Sequence, residues 1–526
     1  MENTSSVKNN DFLAGELFCE REMRLAPVTT GVDYILPDYM GEVRKVLKSS
    51  AKVIPSGRFI GGGEVSFIGA VYYRVLYLDG ENKLTEAAFT SDYEISEKTE
   101  DNFMDAECMA ELASLSVRPA GPRKISAKAT LVPKVYIAED RMPKIPEGMG
   151  EMKVLRGEVS QCSVGFLRSG EREYAEEGAR LEGVAAEEVE VCFSDGEISL
   201  KAERGECGCS ISGEANLYAV LLIGDETSLR VETSIPISEN MDCEGISHGA
   251  CLIPEAYITS QKVTLNNCVS EEGGEIYTSV TFNITVEYKV CVYDNKISEV
   301  ALDAFSCDRK YECKYKDWTY KHFEGCVTEK RNIAIKVDKP ECECGEIGDI
   351  LSTEGKVKVN SAQICGDGLM ISGEIEFLSL MQVSGEGGYY VCKNTAEFSE
   401  EFKLPSARVN LSAEPRVEIL SAETTVDASS VYHKCLLCFT VPVKSEKSAK
   451  ILSSVELFEK EERDMGCSVT VAYLREEDTL WSVAKKYGVC PEVLAEENSL
   501  SAECMADGGN SCPIGKKSVV ILKNIK

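Results

Sequence analysis

The sequence predicts a mainly β chain: tandem antiparallel β repeat domains followed by a small β-α-α-β domain. Three observations carry that prediction. Two blocks recur at one gapless offset, each block alternates apolar and polar residues with period two, and a short helical stripe lies near the C-terminus.

The first block is GEVRKVLKSSAKVIP from Gly41, which aligns without gaps on GEIGDILSTEGKVKV from Gly345. The same offset lays VSFIGAVYYRVLYL (65–78) on LMISGEIEFLSLMQ (369–382) and Gly69 on Gly373. CSISGEANLYAVLLIGD from Cys209 is a third copy, with Gly213 at the shared position. VTFNITVEYKVCVYDNKISEVALDAF from Val280 reads as a weaker fourth half-copy, with Ile284 replacing the glycine and a shortened turn.

In the middle copy Ile211, Gly213, Ala215, Leu217, Ala219 and Leu221 alternate with Ser210, Ser212, Glu214, Asn216 and Tyr218. That period gives a strand one apolar and one polar face. LDGEN at Leu78 and SGEGG at Ser384 are turn signals, so each copy reads as an antiparallel sheet with one solvated side. The shared glycine falls on the apolar face. There it marks ordinary strand packing or, alternatively, a bulge or a close backbone approach.

KSEKSAKILSSVELFEKEERDMG (444–466) is charged and glycine-poor, with scattered apolar points at Ile451, Val455 and Leu457. It predicts a linker with a helical stretch. SVTVAYL (468–474) is then a strand candidate, and Asp478 stands where a helix N-cap belongs. Leu480, Val483, Ala484 and Tyr487 form one stripe, and Gly488 closes the helix. Pro491 suits the first position of a second helix that turns Val493 and Leu494 inward. GKKSVVIL from Gly515 supplies the second strand. On this reading Asp478 is a cap, Trp481 a core aromatic, and Leu480 core rather than contact.

Composition narrows the function. A chain of 526 residues, 43% hydrophobic, is globular and long enough for several domains of roughly 100–200 residues. The net charge is −31, and 467–526 contributes almost none of it, with 7 basic and 8 acidic side chains. Such acidity repels nucleic acid and anionic lipid and favours a basic protein partner. The first residues lack a basic and apolar signal pattern, and no apolar run reaches the ~18 residues of a transmembrane helix. A soluble, intracellular chain is the expectation.

The 23 cysteines are odd in number and irregularly spaced, as expected of reduced thiols. The close pairs Cys207/Cys209, Cys342/Cys344 and Cys435/Cys438 raise a zinc reading, but His248, His322 and His433 are not placed to complete it. No metal or cofactor is expected. His-Glu-x-x-His and Walker patterns do not occur, so no enzyme and no catalytic residue is expected.

Two resemblances sharpen this. LPDYMGEVRKVL (36–47), GAVYYRVLYLDGENKLTEAAFTSDYEI (69–95) and their counterparts after Gly213 and Gly373 resemble the SPOCS domain, a repeated β module of Firmicute spore-coat and spore-morphogenesis proteins. EDTLWSVAKKYGV, PEVLAEEN and the final strand resemble a LysM domain, a small module that holds N-acetylated sugars in a shallow groove. That resemblance implies one groove wall at Asp478, Thr479, Leu480 and Trp481 and a second at Asn498, Ser499 and Leu500. Backbone groups would pair with the acetamide while apolar side chains cover its methyl. Three features depart from the LysM pattern: Glu477 for a glycine, Glu497 for an asparagine, and a final VVILK after the long insert ECMADGGNSC.

Together the two resemble the SipL-type spore-morphogenesis proteins of clostridia and, more distantly, the stage VI D coat-assembly proteins of bacilli. The resemblance implies a non-enzymatic adaptor in the mother-cell cytoplasm, at the forespore surface. It would tether coat proteins by binding the coat basement-layer ATPase, its LysM module taking protein, an N-acetylglucosamine-containing glycan, or both. The alternatives are a self-assembling structural coat component and a peptidoglycan-binding cell-wall protein. The implied division is 30–150, 151–300 and 345–445 as SPOCS-like repeats, 301–344 as a connector or extra half-repeat, 446–466 as a charged linker, and 467–526 as the LysM domain.

Overall fold

Period-two alternation becomes antiparallel β-structure through most of the chain. The computed structural model describes residues 18–98, 105–139, 152–205, 208–224, 227–242, 246–269, 276–339, 346–366, 368–383, 388–404, 410–460, 469–475, 478–500 and 518–522. They belong to two units. One comprises 1–140, 163–294 and 323–444, the other 141–162, 295–322 and 445–526.

The first strands are β1 (Phe18–Arg24), β2 (Val28–Ile35), β3 (Lys45–Gly61), β4 (Glu64–Leu78), β5 (Leu84–Lys98), β6 (Asp105–Gly121) and β7 (Lys124–Glu139). Next come β8 (Lys153–Arg168), β9 (Arg172–Glu182), β10 (Val189–Arg204), β11 (Gly208–Ile223), β12 (Thr227–Asp242), β13 (Cys251–Val269) and β14 (Ile276–Phe305). The third group is β15 (Arg309–Asp338), β16 (Ile347–Cys365), β17 (Gly368–Val383), β18 (Tyr389–Lys403), β19 (Leu411–Ala413), β20 (Arg416–Val426) and β21 (Ser430–Lys460).

In the first unit, three sheets share one plan, β3-β4-β5, β10-β11-β12 and β16-β17-β18. A second layer faces each. β7 pairs with β2 and β6, β14 with β9 and β13, and β21 with β15 and β20. Each pair of layers encloses its own core. Val71, Tyr73 and Val75 meet Ala127, Ala129 and Leu131; Ile211, Ala215 and Leu217 meet Val280, Phe282 and Ile284; Ile371, Ile375 and Phe377 meet Leu437, Phe439 and Val441. Sandwich packing of this kind needs one apolar face per sheet, which the alternation supplies.

The shared glycines are sites of close backbone approach. A Cβ at Gly69 would lie 2.4 Å from the Ile54 carbonyl oxygen, one at Gly213 2.0 Å from that of Ser199, and one at Gly373 2.3 Å from that of Lys358. Tyr93 and Phe398 stand opposite Gly69 and Gly373, and their rings occupy the space a side chain would need. β6, β13 and β20 each carry a bulge, at Leu112/Ser114, Ile258/Ser260 and Ile419/Ser421. A bulge bends its strand and re-aims the side chains beside it.

Alternation breaks at the far end of each central strand. Leu76, Val220 and Leu380 each follow the shared glycine by seven residues, on what should be the solvated face. All three are buried together with Phe193 and Leu351. Both faces of each sheet are therefore covered there, one by its own partner layer and the other by the neighbouring sheets.

Ion pairs extend this contact zone. Lys48 Nζ reaches Glu354 at 2.8 Å, and Arg74 reaches Asp195 at 2.7 Å and Glu86 at 2.6 Å. Three residues before the bulges lie Met109, Glu255 and Arg416. Arg416 donates to the Glu255 carboxylate, and its other amino group stands 3.2 Å from the Met109 sulfur.

Two expectations are corrected. The half-copy at Val280 has no turn, because β14 runs unbroken from Ile276 to Phe305 as the strand between β9 and β13. Its polar Asp294 stays within the strand, buried, accepting from the Ser247 backbone N–H at 2.7 Å. The expected helical linker is strand as far as Lys460, since β21 continues through it, with Ile451 and Leu452 buried. Residues 461–466 lie outside the described residues, and 309–338 of the expected connector is the single strand β15.

The second unit has its own core, in which Val159 of β8, Val300 of β14 and Ile451 of β21 meet. It also holds β22 (Val469–Tyr473), α1 (Leu480–Tyr487), α2 (Pro491–Glu497) and β23 (Ser518–Leu522), with β22 antiparallel to β23. No helix among the described residues is long and apolar enough to cross a membrane.

Candidate binding site on the C-terminal helical module

The cap of α1 is Thr479, not Asp478. The Thr479 hydroxyl accepts from the Ser482 backbone N–H at 3.2 Å, and the Ser482 hydroxyl accepts from the Thr479 N–H at 2.9 Å, a reciprocal capping box. Asp478 sits one residue too early. Its carboxylate instead accepts from the Arg475 backbone N–H at 2.8 Å. Gly488 ends the helix in the left-handed region at φ 65°, and Pro491 opens α2.

Leu480 is fully buried and Trp481 is 5% exposed; both share a core with Val483, Ala484, Leu494 and Ala495. Leu500 packs at the edge of that core. Asn498 follows α2, its side-chain amide donating to the Leu494 carbonyl at 2.9 Å, while Ser499 takes a left-handed φ of 51° and is exposed. The expected site residues thus divide. Leu480, Trp481 and Leu500 meet in the core; Asp478, Thr479 and Asn498 are half-buried turn and cap residues; only Ser499 is fully open. Glu477 and the insert ECMADGGNSC lie outside the described residues.

Missing from the sequence reading is the residue that Trp481 binds. Its indole nitrogen donates to Asp303 Oδ2 at 2.9 Å. Lys485, one helical turn on, contacts both Asp303 oxygens at 2.6 and 2.7 Å, and the Tyr315 hydroxyl donates to the same carboxylate. Phe305 meets the indole edge-on, with centroids 5.0 Å apart. Burial works to raise the Asp303 pKa, but hydrogen bonds from Lys485, Trp481 and Tyr315 outweigh it and hold the carboxyl below its usual range. Asp303 is on β14 and Tyr315 on β15, so the module is docked on the strands of its own unit. A lone carboxylate in a strand gives no sequence signal for such a role; only the paired Trp481 and Lys485 on one helix face hinted at an acceptor.

β21 also decides one thiol pair. Cys435 and Cys438 are three residues apart on a strand, hence on opposite faces, with Cys435 buried in the third core. Cys207, Cys342 and Cys344 lie outside the described residues.

The architecture defines a class: a mainly β chain with three sheet-on-sheet cores of one plan in its first unit and a small two-helix module in its second. Within it, residues 346–427, which cover β16 to β20, match the family model described as SipL, SPOCS domain. The likeness is to a sporulation domain and supports a sporulation- and coat-related role. No curated protein and no solved structure matches the chain.

Proposed function

We propose that the chain is a non-enzymatic adaptor of spore-coat assembly, built of three SPOCS-like units and a C-terminal LysM-like module. It tethers coat proteins at the forespore surface by binding the coat basement-layer ATPase from the mother-cell side. The observation that carries this reading is the match at 346–427. The strand order and glycine approach found there recur at 45–121 and 189–269, which supports extending it to the whole first unit.

The strand-helix-helix-strand order of 469–522 supports the LysM reading. Its ligand is then protein rather than sugar. The aromatic that the resemblance assigns to a groove wall is committed to Asp303 and Phe305, which leaves Asp478, Thr479 and Asn498 half-buried and Ser499 exposed as polar contacts.

The test is fluorescence localisation of tagged full-length protein through sporulation, beside a truncation ending at Gly466. A forespore ring that becomes diffuse in the truncation supports a module-dependent tether. A ring retained by the truncation favours a self-assembling coat component. Full-length protein in vegetative cells or at the cell wall overturns the coat reading.

A further inference from the structure

Within the first unit, β3, β6, β10, β13 and β20 line an open cavity of about 540 Å³. That size lies within the roughly 300–1,000 Å³ range of small-molecule sites. Its charges do not balance. The cations on its wall are committed elsewhere: Lys289 to Glu107 at 3.4 Å, and Lys52 to Asp195 at 3.9 Å. Glu255 is answered by Arg416 from outside the cavity. Glu111, Glu197 and Glu418 also line it, each solvent-exposed, and none has an ion pair or hydrogen bond among the described residues.

A second feature is independent of these carboxylates. Tyr93 lines the same cavity, is 7% exposed, and its hydroxyl has no hydrogen-bond partner among the described residues. A phenolic hydroxyl without a protein partner is free to donate to or accept from a ligand in the cavity. Apolar surface from Ile198, Ala256 and Ile419 completes the wall.

We propose that this cavity binds an alkylammonium group, its charge met by Glu197 and Glu418, its hydrogen-bonding valence shared with Tyr93, and its methylenes laid on the apolar wall. A divalent metal fits less well, since no three of the acidic, His or Cys side chains among the described residues converge to ligate one. Two sources carry the chemistry, a free polyamine and the lysine side chain of a protein partner. The raised pKa of Glu197, pushed up to about 7 by burial and by Asp195 and Glu354 against Lys52 and Lys48, agrees with a site short of positive charge.

The experiment is calorimetric titration of the full chain at pH 8 with spermidine, and separately with the peptide acetyl-Gly-Lys-Gly-amide. Saturable binding of either probe is expected, spermidine alone marking a free amine and the peptide alone a protein lysine. Glu197→Gln with Glu418→Gln should weaken it at least about tenfold, the scale of one lost charge-assisted hydrogen bond. Tyr93→Phe, which keeps the ring over Gly69, should weaken it about 2- to 10-fold. Glu397→Gln with Glu401→Gln, two exposed carboxylates on β18, removes the same charge and should change nothing. Heat from neither probe overturns the proposal, as does equal weakening by the two double variants, which would mean adsorption to an acidic surface. Should the cavity double variant melt early, Tyr93→Phe decides alone, and unchanged affinity there is also an overturning result.

Discussion

The Trp481 indole nitrogen and the Asp303 carboxylate stand 2.9 Å apart and join the helical module to the strands of its unit. Removing the acceptor strands a buried N–H, which costs about 1–3 kcal/mol. Lys485 is 31% exposed at its side chain and adds little, because water replaces its partner. Asp303→Ala should therefore lower the stability of this unit by about 2 kcal/mol, and Asp303→Asn by about half that. Urea unfolding followed by Trp481 emission reads it, in a Trp318→Phe background because the chain has 2 tryptophans. The sign with pH follows from a lowered pKa: the Asp303 contribution is present above the usual 3.8 and lost as pH falls through the folded value. An unchanged urea midpoint in Asp303→Ala would sink the idea of a docking residue.

The three shared glycines make a sharper prediction. Alanine at Gly69, Gly213 or Gly373 sets a methyl within 2.4 Å of a strand carbonyl, which no rotamer change relieves. Overpacking against backbone should cost at least about 3 kcal/mol at each, the upper end of small-to-large changes. Gly121→Ala, where the nearest atom lies 3.8 Å away, is the control and should melt like the parent. If the three variants melt with the control, the close approach is not a requirement of the fold.

How much of this was legible follows from the kind of signal each feature leaves. Alternation named the strands at Ile211 and Val280 because burial on one face writes period two directly into sequence. The cap slipped by one residue, since Asp478 and Thr479 are both good caps and only Ser482 three residues after Thr479 separates them. β21 beyond Lys444 read as helix because Ile451 and Leu452 are adjacent and both buried, so neither period is clean. The break in alternation at Leu76, Val220 and Leu380 was visible, and it marks the sheet-to-sheet contact once all three are aligned on the shared glycine. Asp303 was not legible. A carboxylate that waits for an indole from a segment far along the chain looks like any other acid.

Glu197 gives a pH dependence of opposite sign to Asp303. Its pKa is raised from 4.5 to about 7, so the folded state holds the proton more tightly than the unfolded chain. Its contribution is full below about pH 4.5 and is lost as pH rises through about 7. Glu197→Gln should flatten the melting-temperature profile across that window and melt higher than the parent at pH 8. The side chain is open to the cavity, so after allowance for solvent the gain is on the order of 1 kcal/mol. A variant less stable than the parent at pH 8 would contradict the stated environment.

Arg416 and Glu255 test whether the contact zone is held by charge or by packing. Both side chains are mostly buried, at 18% and 16% exposure, and Met109 at the corresponding position of the first sandwich already fills its share of that space with an apolar side chain. Removing one partner leaves an uncompensated charge, so Arg416→Met alone and Glu255→Met alone should each cost about 3–5 kcal/mol. The double variant places methionine at all three corresponding positions. Because a buried ion pair barely repays its desolvation, the double variant should recover most of that loss and come within about 1–2 kcal/mol of the parent. Thermal or urea unfolding of the four proteins closes the cycle. Additive losses would mean that the two residues act separately, Arg416 through Met109 and its other neighbours rather than through Glu255.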